Sequence, residues 1–145
     1  MTSPKPELVF DDLPKGRKFT PLRYEITPRL VNAYMDTVGD RNPLYWDQAK
    51  AGAAGGLVAP PGLAAIYARL SYLQENTMPS GGVLAGQEFE FLKPVKPGAV
   101  LTVQAEVFES YLDPKDRKRV NFLIVARDGQ GDRVCVVRLY AIWPK

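Results

Sequence analysis

Apolar positions along the chain first recur with the spacing of a helix and later alternate with the spacing of a strand. Thr27 followed by Pro28 predicts a helix start, with a hydroxyl at the N-cap and proline at the first helical position. Leu30, Val31, Tyr34, Met35 and Val38 then fall on one face, and Gly39 stands where a glycine commonly ends a helix. The loop Asp40–Trp46 follows. Asp47 caps a short turn through Ala49, Lys50 and Ala51, broken by Gly52, Gly55 and Gly56. Leu57 to Gly62 leads into a second helix of about 13 residues, with Leu63, Ile66, Tyr67, Leu70 and Leu73 along one side and Ala64, Ala65 and Ala68 among them. Apolar or small residues surround this helix until Arg69, which predicts burial on all sides.

Beyond the loop at 76–82 the period becomes two. Strands are predicted at 83–92, 99–110, 118–127 and 133–142, joined by short Pro-, Gly- and Asp-rich segments that read as a meander. Leu101, Val103, Ala105 and Val107 alternate with Thr102, Gln104 and Glu106, as in a half-buried antiparallel strand. Residues 1–21, with four prolines, read as an extended arm that Leu8, Val9 and Phe10 partly dock, and Arg23–Ile26 as a short strand. Helices segregated to one face of an antiparallel sheet make an α+β domain. A long apolar central helix wrapped by that sheet is the hot-dog arrangement, expected over residues 22–145 as a single domain.

Composition narrows the chemistry. The 145 residues hold no histidine and one cysteine, Cys135. That excludes Ser–His and Cys–His catalytic pairs, histidine-ligated metal and an internal disulfide. No metal site is expected. A net charge of +3 from 19 basic and 16 acidic residues forms no concentrated basic stripe, so no nucleic-acid partner is expected. No apolar run approaches the roughly 18 residues of a membrane helix, and the first residues lack the apolar region of a secretory signal, so no membrane partner and a cytoplasmic location are expected.

One segment carries more specific chemistry: Val38-Gly39-Asp40-Arg41-Asn42-Pro43-Leu44-Tyr45. It resembles the G-D-x-N-P-[LIV]-H motif of MaoC-like dehydratases, the (R)-specific enoyl-CoA hydratase group. Gly55-Gly56-Leu57-Val58-Ala59-Pro60 is similar to that family's approach to its central helix, and Phe89 to Gly98 to its first long strand and following turn. The resemblance spans about residues 22–142. It implies that the aspartate and the motif histidine hold water and move protons across the double bond of an enoyl thioester. It also implies that the asparagine keeps the loop in register, and that a backbone N–H at the start of the central helix meets the thioester carbonyl. The implied ligand is an acyl-CoA or acyl-carrier thioester. Coenzyme A enters only as part of that substrate, and no separate cofactor is implied.

Asp40 and Asn42 match the motif, while Tyr45 stands at the histidine position, Pro60 at a second histidine and Pro61 at the glycine whose N–H would face the thioester. A phenol is a poor base near neutral pH, and proline has no N–H. Gly62 supplies the donor only if the helix start shifts by one residue. Loss of a general base typically costs about 10²–10⁴ in rate and loss of an oxyanion donor about 10²–10³. This variant pattern resembles the histidine-lacking N-terminal half of fused double-hot-dog dehydratases and the accessory subunits of two-chain enoyl-thioester hydratases.

Asp40 and Tyr45 are therefore the catalytic candidates, Asn42 the structural loop residue, and Gly56, Pro61, Gly62 and Ala65 the substrate-binding candidates. Each also has a plainer reading: a turn carboxylate, a buried aromatic, or close helix–sheet packing. Lys115, Arg117, Lys118 and Arg119 read either as an attraction for CoA phosphates or as a solvated turn. Cys135, Trp46 and Trp143 read most simply as core. Three functions remain open. The first is a non-catalytic hot-dog subunit shaping the acyl channel beside an Asp–His-bearing partner. The second is a self-sufficient homodimeric hydratase or thioesterase using Asp40 with Tyr45. The third is an acyl-thioester binding module. A homodimer and a heterodimer both satisfy the exposed edge of such a sheet.

Overall fold

In the computed structural model, which describes residues 4–53 and 55–145, Thr27 accepts a hydrogen bond from the Leu30 N–H (3.0 Å) and opens α1 (Pro28–Val38). Gly39 closes it in the left-handed conformation (φ 73°), its N–H donating to the Met35 carbonyl at 2.9 Å. Val31 and Met35 are buried and Leu30 and Tyr34 partly so, whereas Val38 is exposed rather than part of the expected apolar face. Asp47 caps α2 (Gln48–Gly52) by accepting from the Ala49 and Lys50 N–H groups.

The central helix, α3, runs from Leu63 to Ser71, nine residues against the longer element the sequence predicts. Leu63, Ala64, Tyr67, Ala68 and Ser71 are buried against the sheet. Ile66 (40% exposed) and Leu70 (41%) point outward, so the helix is buried on one side only. Its apolar outer face is the reason the sequence reads as buried all round.

The strands fall close to their predicted bounds: β1 (Leu22–Glu25), β2 (Val83–Phe91), β3 (Val100–Leu112), β4 (Lys118–Arg127) and β5 (Arg133–Trp143). They form one antiparallel sheet in the order β1-β3-β4-β5-β2. Only β3, β4 and β5 follow one another as a meander. The segment Lys93–Gly98 is not a hairpin. It carries the chain from β2, at one edge, past the start of α3 to β3, with the Ala59 N–H donating to the Val95 carbonyl (2.6 Å) and the Gly98 N–H to the Ile26 carbonyl (2.7 Å). Pro, Gly and Lys serve a tight turn and a crossover equally well, which is why composition alone favours the simpler connection.

Leu101, Val103, Ala105 and Val107 face the core as their alternation predicts. Phe122 anchors an aromatic cluster, stacked on Tyr72 (4.8 Å between centroids) and tilted against Phe19 and Trp143 (6.0 Å each). Trp143 is core, and its indole N–H donates to the Leu8 carbonyl at 2.8 Å. Trp46, expected as core, is exposed and donates to the Arg41 carbonyl instead. Leu8, Leu13 and Phe19 of the N-terminal segment are buried on the body; residues 1–3 of the predicted arm lie outside the described residues.

Candidate functional site

The loop after α1 gathers three of the predicted residues. Asn42 caps the short 3-10 turn Pro43–Tyr45, its Oδ1 accepting from the Leu44 N–H at 3.0 Å. Asp40 Oδ1 accepts from the Asn42 N–H (3.3 Å), and Asp40 Oδ2 accepts from the Tyr45 hydroxyl (3.3 Å). Asp40 is exposed at the rim and Tyr45 is buried beneath it. Burial, then the charge and hydrogen bond of Asp40, then the nearby Tyr34 phenol, all raise the pKa of Tyr45. The phenol therefore stays protonated near neutral pH and acts here as a donor, not as a base.

Tyr34 was visible in the sequence only as one more member of an apolar face. In the fold its hydroxyl lies over the start of α3. Gly62 stands at the N-cap with φ −62° and ψ −16°, a backbone conformation open to any residue. Space, not conformation, demands the glycine: a Cβ there would lie 2.9 Å from Tyr34 Cζ and closer still to its Oη. The first backbone N–H groups of the helix are already used. Leu63 donates to the Pro60 carbonyl (3.2 Å), Ala64 to Pro61 (3.1 Å) and Ala65 to Gly62 (3.1 Å). Pro60 and Pro61 offer no N–H at all.

The other feature of note is an apolar cavity of ≈ 400 Å³ between α3, the beginning of β5 and the crossover after β2. Pro60, Pro61, Leu63, Ala64 and Val134 form its walls and Phe91–Val95 its roof, with Tyr67 and Cys135 also facing it. Asp40, Asn42 and Tyr45 are not among its lining residues. Lys93 pins the roof to the β4–β5 turn, donating to Asp128 (2.6 Å), Asp132 (3.0 Å) and Gln130 (3.2 Å). The hydrogen bonds to Asp128 and Asp132 raise the Lys93 pKa, and the bond from Lys93 lowers that of Asp128 against a smaller opposing effect of burial.

The predicted binding residues are therefore split. Pro61 lines the apolar cavity and Gly62 sits under Tyr34. Ala65 faces a second cavity of ≈ 380 Å³ on the other side of α3, beside Val83 and Leu84. Gly56 lines neither cavity; it turns the chain with φ 114° while its N–H donates to the Ala51 carbonyl.

The basic turn resolves toward a structural role for two of its cations. Arg117 Nε (2.7 Å) and Arg119 Nε (2.9 Å) both donate to Asp113 Oδ2, and the Lys115 and Arg117 backbone N–H groups to Oδ1 (2.9 Å each). Burial pushes the Asp113 pKa up, but these four donors together hold its carboxyl well below the usual range.

Known proteins place the chain. A family model described as "FAS1-like, dehydratase domain region" matches residues 14–134. A segment of 47 residues is 40% identical to the 3-oxo-4,17-pregnadiene-20-carboxyl-CoA hydratase alpha subunit of Mycobacterium tuberculosis, covering 31% of this chain and 15% of that protein. The fold superposes on the unliganded R-hydratase PhaJ1 of Pseudomonas aeruginosa with a TM-score of 0.77 at 26% identity, over 94% of this chain and 85% of that one. It also superposes on a chain of the ChsH1–ChsH2 complex of M. tuberculosis with a TM-score of 0.71 at 22% identity, over 88% and 84%. The hot-dog fold expected from the sequence is thereby established, and the chain belongs to the FAS1-like dehydratase-region family.

Proposed function

We propose that this chain is the non-catalytic hot-dog subunit of an (R)-specific enoyl-thioester hydratase or dehydratase, holding the acyl group beside a partner that carries the Asp–His pair. The observation that carries this reading is the separation of its two halves. The apolar cavity suited to an acyl chain has no carboxylate in its lining, and the start of α3, where a thioester carbonyl would seek an N–H, is preceded by two prolines and has the Leu63, Ala64 and Ala65 N–H groups already engaged. The substrate is an acyl-CoA or acyl-carrier thioester, with no cofactor of its own. The relatives lend support, since one is by name the alpha subunit of a CoA-thioester hydratase and another comes from a two-component complex.

The partner surface is β2, an edge strand exposing Val83 (56%) and Leu84 (60%), together with the outward Ile66 and Leu70 of α3. Pairing a second hot dog along this edge extends the sheet and covers the apolar helix face.

The hydrogen bond from Tyr45 to Asp40 favours a second reading, a self-sufficient hydratase or thioesterase with Asp40 as base and Tyr45 as donor. Hydration of a panel of trans-2-enoyl-CoA thioesters by the purified chain, with D40N as control, decides between them. The accessory reading expects no turnover alone and turnover after co-expression with a histidine-bearing hot-dog protein. Turnover by the chain alone that D40N abolishes would refute it.

A further inference from the structure

The walls of the ≈ 400 Å³ cavity are apolar almost throughout, and the polar atoms that break the pattern are informative. The Lys93 amine is committed to Asp128, Asp132 and Gln130 on the β4–β5 turn. What remains is the Tyr67 hydroxyl with the Cys135 thiol beside it. Tyr67 is only 4% exposed, and its hydroxyl pairs with the Cys135 thiol, with no hydrogen bond to an oxygen or nitrogen among the described residues. Both residues of this pair line the cavity.

A phenylalanine would make the same edge-on contact with Tyr24 (5.7 Å between centroids) and fill the same place without a polar atom to satisfy. Burying a hydroxyl beside an apolar pocket costs stability, and a thiol is a weak hydrogen-bonding partner that offsets the cost only in part. An oxygen on a group that enters the cavity is a stronger acceptor for that hydroxyl than the sulfur.

We propose that the acyl group received by this cavity carries a neutral oxygen, a ketone or a hydroxyl, in its distal part, and that the Tyr67 hydroxyl donates a hydrogen bond to it. Tyr67 is thus a specificity-determining residue, and the substrate class is an oxygenated rather than a plain hydrocarbon acyl thioester. Burial raises the pKa values of both Tyr67 and Cys135, so both are neutral near pH 7. No carboxylate lines the cavity, and the Lys93 amine is committed to the β4–β5 turn, so the oxygen the cavity suits is uncharged.

The inference rests on the cavity being the acyl site. It is tested by calorimetric titration of the full chain with octanoyl-CoA and with its oxo and hydroxy derivatives, the oxygen placed at successive carbons of the distal half. The wild type should bind at least one oxygenated isomer roughly 3- to 10-fold tighter than octanoyl-CoA, the value of one neutral hydrogen bond. The oxo and hydroxy arms show which oxygen is preferred. Tyr67→Phe should erase that preference while retaining affinity for octanoyl-CoA, and that retained affinity also reports that the variant is folded. Equal binding of all chains, or a preference that survives Tyr67→Phe, overturns this inference and leaves the acyl-channel reading standing. No binding of any chain overturns both. Turnover by the isolated chain would refute only its accessory role, since the binding preference is read independently.

Discussion

Gly62 offers the sharpest test of the geometry at the start of α3. Two effects of opposite sign act on Gly62→Ala. The backbone there is right-handed, so alanine is admissible and restricts the unfolded chain, a gain of about 0.4–1 kcal/mol. Against it, the new methyl meets the Tyr34 phenol, with Cζ only 2.9 Å away, and forcing that ring aside is an overpacking cost of about 1–3 kcal/mol. The second effect wins, and the variant should be less stable by roughly 0.5–2 kcal/mol. In a Tyr34→Leu background the obstruction is gone and the same substitution should stabilise by about 0.4–1 kcal/mol. Urea denaturation of the four proteins at one fixed concentration gives the coupling directly, expected at about 1–3 kcal/mol. Equal stabilisation by Gly62→Ala in both backgrounds would refute the placement of Tyr34 over the helix start.

Other consequences are independent of that contact. Phe122→Ala removes the ring at the centre of the aromatic cluster and should cost about 3–5 kcal/mol, read as a lower urea midpoint; a loss below 1 kcal/mol would contradict the described stacking. Asp113 has a depressed folded pKa, so its contribution to stability is fully present above the ordinary carboxylate pKa of about 4 and is lost as pH falls through its lower folded value. Melting temperature followed from pH 7 downward should therefore fall less steeply in Asp113→Asn than in the wild type, and parallel curves would count against the Arg117–Asp113–Arg119 arrangement. Leu84→Lys places a charge on the exposed β2 edge and should lower the mass found by light scattering to that of a single chain without lowering the melting temperature of the fold itself; an unchanged oligomer would move the interface elsewhere.

Much of the architecture is written locally. Thr27, Pro28 and Gly39 mark both ends of α1 because capping chemistry is a matter of adjacent residues. The alternation of Leu101 to Val107 gives the buried face of β3 because a strand has only two faces. The loop cluster of Asp40, Asn42 and Tyr45 was legible for the same reason, lying within six positions of the chain. What escaped depends on contacts between distant segments. The order of β2 in the sheet is set by where the crossover packs, not by its composition. The exposed side of α3 looks like core because Ile66 and Leu70 are apolar yet face outward. Tyr34 and Gly62 are separated by two loops and a short helix, and nothing at either position hints at the other. Glycine at a right-handed φ has no local explanation, and that is itself a usable clue to close approach.

The two margins of the sheet are unequal, and this sets a stopping rule for growth. Beside β3, the four-residue β1 is followed outward along the same strand by separate pairings of the N-terminal segment, Gly16 and Arg17 with Val107 and Phe19 with Ala105. That margin is short and interrupted, a poor template for another strand. The opposite margin offers nine residues of β2, irregular between Leu84 and Gly86. A sheet with one good margin can add one neighbour and then has none left to offer. Such a geometry favours pairs over open-ended stacking into fibres, even with an apolar strand uncovered.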